Sequence, residues 1–221
     1  MNLCFYGIIF SIESSDFMKK LKYSLQSKEV KYLIEKNPEL LQLFQRKDEV
    51  IVNIDDDYFV SLVGTIVAQQ LSGKVVQVIY GRLLNLFDLE INAQKIMSIP
   101  DESLRNIGLS YQKIKYLKSL SQCYIDKTID FTQIEEMSND EVIEMLVKIK
   151  GIGVWSAQMF LMFSLGREDV FSVLDLGLRN GAKKFFNQPD LTQEEILSIS
   201  ENWKPYRSIV SHYLWHAWDS K

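Results

Sequence analysis

The sequence predicts an all-α fold made of two helical lobes with a groove between them. Apolar residues recur at helical spacing through most of the 221-residue chain, which is the periodicity of helices that bury one face. Two capping boxes, Ser138 with Glu141 and Thr192 with Glu195, mark helix starts. Only residues 49–54 have the composition of a strand, and that run is short.

Each helix is predicted from its apolar positions and its end signals. Residues 57–70 are apolar nearly all round, so this helix is expected to be buried. Gly108 and Gly166 are expected to end the helices before them, and Pro205 to lie in the first turn of the last helix. The inner stripe of residues 73–87 is expected to be Val75, Val76, Ile79, Leu83, Leu84 and Phe87. The predicted helices span 27–35, 38–45, 57–70, 73–87, 102–107, 111–124, 138–148, 154–165, 176–186 and about 205–218.

Composition limits the classes of protein to consider. The net charge of -4 argues against a protein that coats nucleic acid without specificity, yet residues 148–184 contain six basic and three acidic side chains. No apolar run approaches the roughly 20 residues that span a bilayer, so no membrane partner is expected. Two cysteines are too few for a disulfide framework, which favours a reducing compartment. Met18 offers a second start, so residues 1–17 are expected to be an N-terminal extension.

A glycine-rich hairpin, Lys150-Gly151-Ile152-Gly153, separates two predicted helices at about residues 148–154. The first N–H groups of the second helix and the positive end of its dipole suit a phosphate. The glycines permit close approach between the main chain and a ligand and tolerate positive φ, while Ile152 is expected to pack inward. A lone G-x-G pattern is more often a structural turn between helices.

The sequence around this hairpin, L-x-K-I-K-G-I-G-x-W-S-A-x-M-F, resembles the helix–hairpin–helix of the HhH-GPD superfamily of DNA glycosylases. It is most similar to the 3-methyladenine DNA glycosylase II branch. Residues 66–74, 104–117 and 203–215 are similar to further segments of that family, in the same order. The resemblance implies that residues 18–221 form one helical glycosylase unit of two interleaved lobes, with the active-site cleft between them.

The resemblance also implies a catalytic residue, Asp175. The run D-V-F-S-V-L-D-L-G-L-R is similar to the family's V-F-x-x-D-D-x-x-x-R motif, whose second carboxylate is catalytic, and Leu174 occupies the first of those two positions. An aspartate before a helix is also a common N-cap, and the two roles are compatible. Family members that nick the strand have a lysine where this chain has Trp155, so a monofunctional enzyme is expected.

The family's base-binding pocket aligns with five side chains of this sequence. An aromatic wall attracts a cationic base, and Trp155 and Trp215 align with pocket aromatics, although a single tryptophan in a helical protein is more often part of the core. Met159, Leu176 and His216 stand at positions that are often tyrosine in relatives, so the range of bases is expected to differ.

Two further segments are implied to contact DNA. Residues 66–74, I-V-A-Q-Q-L-S-G-K, are similar to the family segment that fills the gap left by a flipped base. Gln70 and Leu71 are the alternatives for that plug, with Ser72 beside them, and the other interpretation is that the glutamines cap a buried helix. Near Gly108, Ser110 and Lys113 are expected to hold another phosphate.

The hypothesis is therefore a DNA N-glycosylase that flips and hydrolytically excises alkylated purines, with 3-methyladenine and 7-methylguanine as substrates. The alternative is a non-catalytic helix–hairpin–helix module that binds damaged DNA. No cofactor is expected to be required, but the resemblance implies a Na⁺ or K⁺ ion at the carbonyls of Val147, Ile149 and Ile152. The expected partner is double-stranded DNA with alkylated bases, bound by a monomer. Localisation is expected to be cytoplasmic and nucleoid-associated in a bacterium, or nuclear in a eukaryote.

Overall fold

The computed structural model describes residues 19–55 and 57–219, and the predicted extension at residues 1–17 lies outside them. The chain is mostly helical, as the sequence predicts. Its strands are β1 (Lys19–Ser24) and β2 (Glu49–Ile54). Its α-helices are α1 (Lys28–Lys36), α2 (Leu41–Phe44), α3 (Tyr58–Ala68), α4 (Gly73–Leu86), α5 (Ala93–Ser98), α6 (Asp101–Asn106), α7 (Tyr111–Ile125), α8 (Asn139–Leu146), α9 (Val154–Phe163), α10 (Leu176–Phe186), α11 (Gln193–Glu201) and α12 (Arg207–Asp219), with a 3₁₀ turn at Pro38–Leu40.

The described residues divide into two compact units. The first contains residues 19–54 and 161–219, and the second contains residues 55–160 without Asp56. The boundary between them falls within α9, while the hairpin before that helix belongs wholly to the second unit. Among the described residues, no helix combines the length and the apolar character needed to cross a bilayer.

The first unit contains the two-stranded sheet and the helices of both chain ends. β1 pairs antiparallel with β2, from Lys19 opposite Ile54 to Ser24 opposite Glu49. The all-helical prediction missed β1, because three of its six residues are lysines, which are depleted in strands. Pairing with the apolar strand β2 and burial of Tyr23 stabilise it.

Helices α10 and α12 pack closely in this first unit. A Cβ on Gly181 would lie only 2.7 Å from the main-chain oxygen of Leu214, so glycine permits the two backbones to approach. The bounds of α10 match the prediction of 176–186. Helix α12 begins at Arg207, so the prediction that Pro205 lies in its first turn is wrong, because the residues before Arg207 form a turn instead.

The second unit is formed by α3 to α8 and the first turns of α9. Helix α3 is buried over most of its length, as its apolar sequence predicts. On α4 the predicted inner stripe is buried except at Val75, which is 43 % exposed, because this position lies beyond the edge of the buried face. Helix α5 is too short for its apolar spacing to predict it. The capping box of Ser138 and Glu141 forms as expected at α8.

Candidate active site and DNA-binding segments

The hairpin between α8 and α9 is built from local backbone hydrogen bonds. The N–H of Ile149 donates to the Leu146 carbonyl at 3.1 Å, and that of Ile152 donates to the Ile149 carbonyl at 3.1 Å. Ile152 is 4 % exposed, so it packs inward as expected. Lys150 and Gly153 are exposed. A cationic side chain and the N-terminus of a ten-residue helix therefore reach the surface together.

Both the backbone conformation and the close packing at position 151 require glycine. Its φ is +91°, and a Cβ there would overlap the ring of Tyr116 on α7. At Gly153, in contrast, an added Cβ would meet no described atom within 4 Å. The N–H of Lys150 also donates to the Ser119 hydroxyl of α7 at 3.2 Å. Helix α7 thus supports the inner side of the hairpin, and the Gly153 side is left open.

The predicted plug segment, Gln70 to Ser72, follows a residue that is hydrogen-bonded to the same hairpin. The Gln69 side-chain amide donates to the Gly151 carbonyl at 2.8 Å. Gln70 follows with a φ of +58°, a left-handed conformation that is uncommon outside glycine, and its side chain is exposed. Leu71 is half-buried, and the exposed Ser72 is the N-cap residue of α4. Of the two alternatives for the plug, Gln70 is the more exposed.

The second predicted phosphate site begins α7. Ser110 is exposed, and its hydroxyl caps the helix by accepting from the N–H of Lys113 at 3.2 Å. The Lys113 ammonium donates to the carbonyl of Val67, in the last turn of α3, at 2.7 Å. Burial lowers the pKa of Lys113 to about 8. A cation at a helix C-terminus is favourable, so Lys113 supports α3 from within, and its contact with phosphate stays a prediction.

The carbonyls expected to bind a monovalent cation come from the end of α8 and the hairpin. Carbonyl groups in a last helical turn have no intrahelical partner, and neutral carbonyl oxygens are ligands that hard cations accept. The Ile149 carbonyl already accepts the Ile152 N–H, but a carbonyl has a second lone pair. The donor set of Val147, Ile149 and Ile152 therefore fits an alkali ion in its chemistry.

Asp175 lies in the first unit, just before α10, and is 3 % exposed. Its Oδ1 accepts the main-chain N–H of Leu178 at 2.8 Å, so it is the N-cap of this helix. The same oxygen accepts the indole Nε1–H of Trp215, 40 residues later on α12, at 2.9 Å. Both the capping role and the second donor hold this carboxylate in one orientation.

An aromatic cluster holds the indole of Trp215. Its ring lies 5.7 Å from Phe163 with an interplanar angle of 30°, and 5.7 Å from His212 at 51°. Burial first, and then the charge of His216, lowers the pKa of His212 to about 3. A neutral imidazole therefore packs behind the tryptophan. Gly177 leaves room for this pair, since a Cβ there would lie 3.0 Å from Trp215 and 3.1 Å from the Asp175 oxygen.

Comparison with known proteins assigns this arrangement to a family. The family model of the HhH-GPD superfamily base excision DNA repair proteins matches residues 63–205, more than half of the chain. The chain belongs to this superfamily. The matched region contains the plug segment, the hairpin and Asp175.

Similar proteins are DNA glycosylases. The DNA-3-methyladenine glycosylase of Saccharomyces cerevisiae is 31% identical over 83% of this chain and 77% of its own length. The crystal structure of a DNA-3-methyladenine glycosidase from Bacillus halodurans is 37% identical, with a TM-score of 0.84 over 90% of this chain and 93% of that one. A Schizosaccharomyces pombe 3-methyladenine DNA glycosylase in complex with abasic DNA is 29% identical, with a TM-score of 0.70 over 86% and 91%. This HhH-GPD protein is accordingly an enzyme that hydrolyses N-glycosyl bonds.

The five predicted pocket residues of this HhH-GPD enzyme come from both units. Trp155, which is half-buried, and Met159, which is buried, lie one turn apart on α9 in the second unit. Leu176, Trp215 and His216 belong to the first unit; Leu176 is exposed, Trp215 buried and His216 half-buried. Among these five residues, Trp215 is hydrogen-bonded to the candidate catalytic residue, Asp175. The pocket itself stays a prediction.

The sequence does not predict two contacts at the candidate site of this HhH-GPD enzyme. One is the hydrogen bond from Trp215 to Asp175, and the other is the bond from Gln69 to the hairpin at Gly151. The sequence indicates no role for Gln69 beyond that of a cap of α3. The pair of glutamines directly after a buried apolar helix was the available signal, since an amide next to an apolar segment needs a hydrogen-bond partner.

Proposed function

We propose that this glycosylase flips alkylated purines out of double-stranded DNA and hydrolyses their N-glycosidic bond, with 3-methyladenine and 7-methylguanine as substrates and an abasic site as product. The observation that supports it most is the buried carboxylate of Asp175, held by two N–H donors on one oxygen. The names of the similar proteins from yeast and from Bacillus halodurans point to the same lesion class.

Cleavage of the N-glycosidic bond builds positive charge on the deoxyribose. An ionised carboxylate that is already oriented stabilises that charge without reorganising, and can orient a water for attack at C1′. The donors Leu178 and Trp215 both bind Oδ1 of Asp175, so they supply the orientation. An alkylated purine is itself cationic and leaves readily, so the proposal needs no general acid.

DNA contact is proposed to come from the second unit. The exposed Lys150 and the start of α9 at the hairpin bind a phosphate of the damaged strand, while Gln70 or Leu71 fills the gap left by the flipped base. Ser72, Ser110 and Lys113 are proposed to contact the backbone nearby. The Na⁺ or K⁺ ion at the hairpin carbonyls remains part of the proposal, as does action by a monomer.

Trp155 makes the proposed enzyme monofunctional. Strand-nicking relatives use a lysine amine at this position to attack the sugar and form a Schiff base, and an indole cannot do so. Incubation with methylated DNA and borohydride is therefore expected to leave the protein unmodified. A covalent protein–DNA adduct would contradict hydrolysis as the reaction.

The central experiment is to incubate the protein with methylated DNA and identify the released bases by chromatography. Asp175→Asn keeps an acceptor for Leu178 and Trp215 but removes the charge. At a separation of about 4 Å and an effective dielectric constant of about 20, one charge pair is worth roughly 4 kcal/mol, so excision is expected to fall about 10³-fold. Binding to abasic DNA is expected to be retained.

Asp57→Asn is the matched control, because Asp57 caps α3 through the N–H of Val60 at 2.9 Å in the same way. This variant is expected to excise bases like the wild type. Turnover by Asp175→Asn at the wild-type rate would remove Asp175 from the mechanism. A wild type that binds damaged DNA but releases no base would favour the non-catalytic binding module instead.

A further inference from the structure

We propose that Gln69 is a positioning residue that fixes the plug segment, defined as Gln70 to Ser72, against the DNA-binding hairpin. The proposal rests on the proposed function, because it concerns how the enzyme opens the duplex. Its direct support is the hydrogen bond from the Gln69 side-chain amide to the Gly151 carbonyl at 2.8 Å, between residues 82 positions apart.

The Gly151 peptide is held from two sides. Its Cα lies so close to the ring of Tyr116 that no Cβ would fit, and its carbonyl accepts the amide of Gln69. The Ile149–Lys150 peptide is also fixed, since the Lys150 N–H donates to the Ser119 hydroxyl. The hairpin therefore has a defined position relative to α7. The hydrogen bond from Gln69 also connects the hairpin to the end of α3.

The chain just before Gln69 is equally well supported. The Lys113 ammonium donates to the Val67 carbonyl at 2.7 Å, and Ala68 is fully buried. The helix thus ends at a fixed point, and Gln69 leaves it in an extended conformation with φ -49° and ψ 129°. The side chain of the next residue, Gln70, is exposed.

Gln70 has a conformation that needs such support. Its φ of +58° is a left-handed conformation, which is unfavourable for a residue with a Cβ. Strained residues persist where the surrounding structure holds them and are common at functional sites. The turn is closed by the N–H of Leu71, which donates to the Ala68 carbonyl at 3.2 Å. The anchored amide of Gln69, in the same turn, fixes it against the hairpin and so sets the position from which the exposed Gln70 side chain projects.

The hydrogen bond from Gln69 fixes the distance between the hairpin, which is proposed to bind a phosphate, and the plug segment. If the hairpin binds a phosphate, the hydrogen bond from Gln69 places the plug segment at a set displacement along the duplex. Gln69 contacts no DNA in this role, because its amide is bound to Gly151. Loss of the bond is expected to reduce base extrusion while leaving the affinity for undamaged duplex unchanged.

The test compares Gln69→Met, which keeps the size and removes the donor, with wild type. A duplex with 2-aminopurine next to a lesion reports base extrusion by fluorescence. Extrusion and excision are expected to slow about 3- to 10-fold, the effect of one neutral hydrogen bond, with duplex affinity unchanged. Amide exchange of residues 69–72 in the DNA-free protein is expected to become faster.

Gln69→Asn is the second variant, because it keeps an amide that is one methylene too short to reach Gly151, and the same defect is expected. Gln122→Met on α7 is the matched control; it removes an exposed bond to Asp126 at 2.8 Å and is expected to behave like wild type. Wild-type extrusion by both Gln69 variants would overturn this proposal alone. A wild type that neither extrudes nor excises would overturn the proposed function as well.

Discussion

Replacement of Trp215 by phenylalanine tests the hydrogen bond that orients Asp175. In the wild type the indole Nε1–H donates to Asp175 Oδ1 at 2.9 Å, and both residues are buried. Phenylalanine retains an aromatic ring against Phe163 and His212 but has no N–H. The variant therefore removes the indole donor to this oxygen and leaves the cap from Leu178 in place.

The magnitude follows from the charge and burial of the acceptor. A hydrogen bond to a charged group contributes about 1.5–3 kcal/mol to the free energy of unfolding. For a protein of this size 1 kcal/mol shifts the melting temperature by roughly 2–4 °C, so Trp215→Phe is expected to melt about 3–12 °C lower. If the donor also orients Asp175 in the transition state, excision falls roughly 10- to 100-fold.

The assay combines thermal melting with single-turnover excision of methylated bases at a temperature where both proteins are folded. Trp218→Phe is the matched control, because Trp218 is 41% exposed on the same helix; its melting temperature and rate are expected to stay near the wild type. The reasoning would be refuted if Trp215→Phe melted like wild type and excised bases at the wild-type rate.

Three further predictions concern packing and protonation. Gly181→Ala places a Cβ 2.7 Å from the Leu214 oxygen. Overpacking of about 1–3 kcal/mol is expected to outweigh the gain in helix propensity of about 1 kcal/mol, so this variant should be less stable than wild type. Gly81→Ala adds a Cβ in open space and should be more stable than wild type by about 1 kcal/mol, so equal melting temperatures of the two variants would contradict this. Burial lowers the pKa of Lys113 from 10.5 to about 8, so the unfolded chain binds that proton more tightly. As the pH rises between these two values, the free energy of unfolding of the wild type should therefore increase relative to that of Lys113→Met. An equal pH dependence of the two proteins in chemical denaturation would refute this. Burial likewise lowers the pKa of His212 from 6.5 to about 3, so chemical denaturation should show a steeper stability loss below pH 6.5 in wild type than in His212→Gln; equal slopes would rule it out.

Most helices could be predicted because their signals are local. The capping boxes at Ser138 and Thr192 form as their spacing predicts, since a side chain and an N–H three residues apart meet in any helix start. Strand β1 could not be predicted, because its lysine-rich sequence gains its structure from β2, about 30 residues later. The burial of an individual side chain such as Val75 depends on neighbouring helices in the same way.

In the candidate site, too, local features could be predicted from the sequence and contacts between distant residues could not. Resemblance of the local motifs identified Asp175 and the hairpin, and the helix N-cap at Asp175 is itself a local feature. The partner of that carboxylate, Trp215, lies 40 residues away. Its aromatic character suggested a pocket wall, but nothing in its spacing indicates that the indole N–H meets the carboxylate.

By itself, the sequence of this HhH-GPD enzyme determined the helical class, the capped helix starts at Ser138 and Thr192 and the motifs that contain Asp175, Gly151 and Gly153, because each depends on contacts within a few residues or on a contiguous motif. Only the tertiary structure decided which side chains hold these groups. Trp215 on Asp175 and Gln69 on Gly151 join residues 40 and 82 positions apart, and such hydrogen bonds exist only after burial has brought distant helices together, which no local pattern encodes.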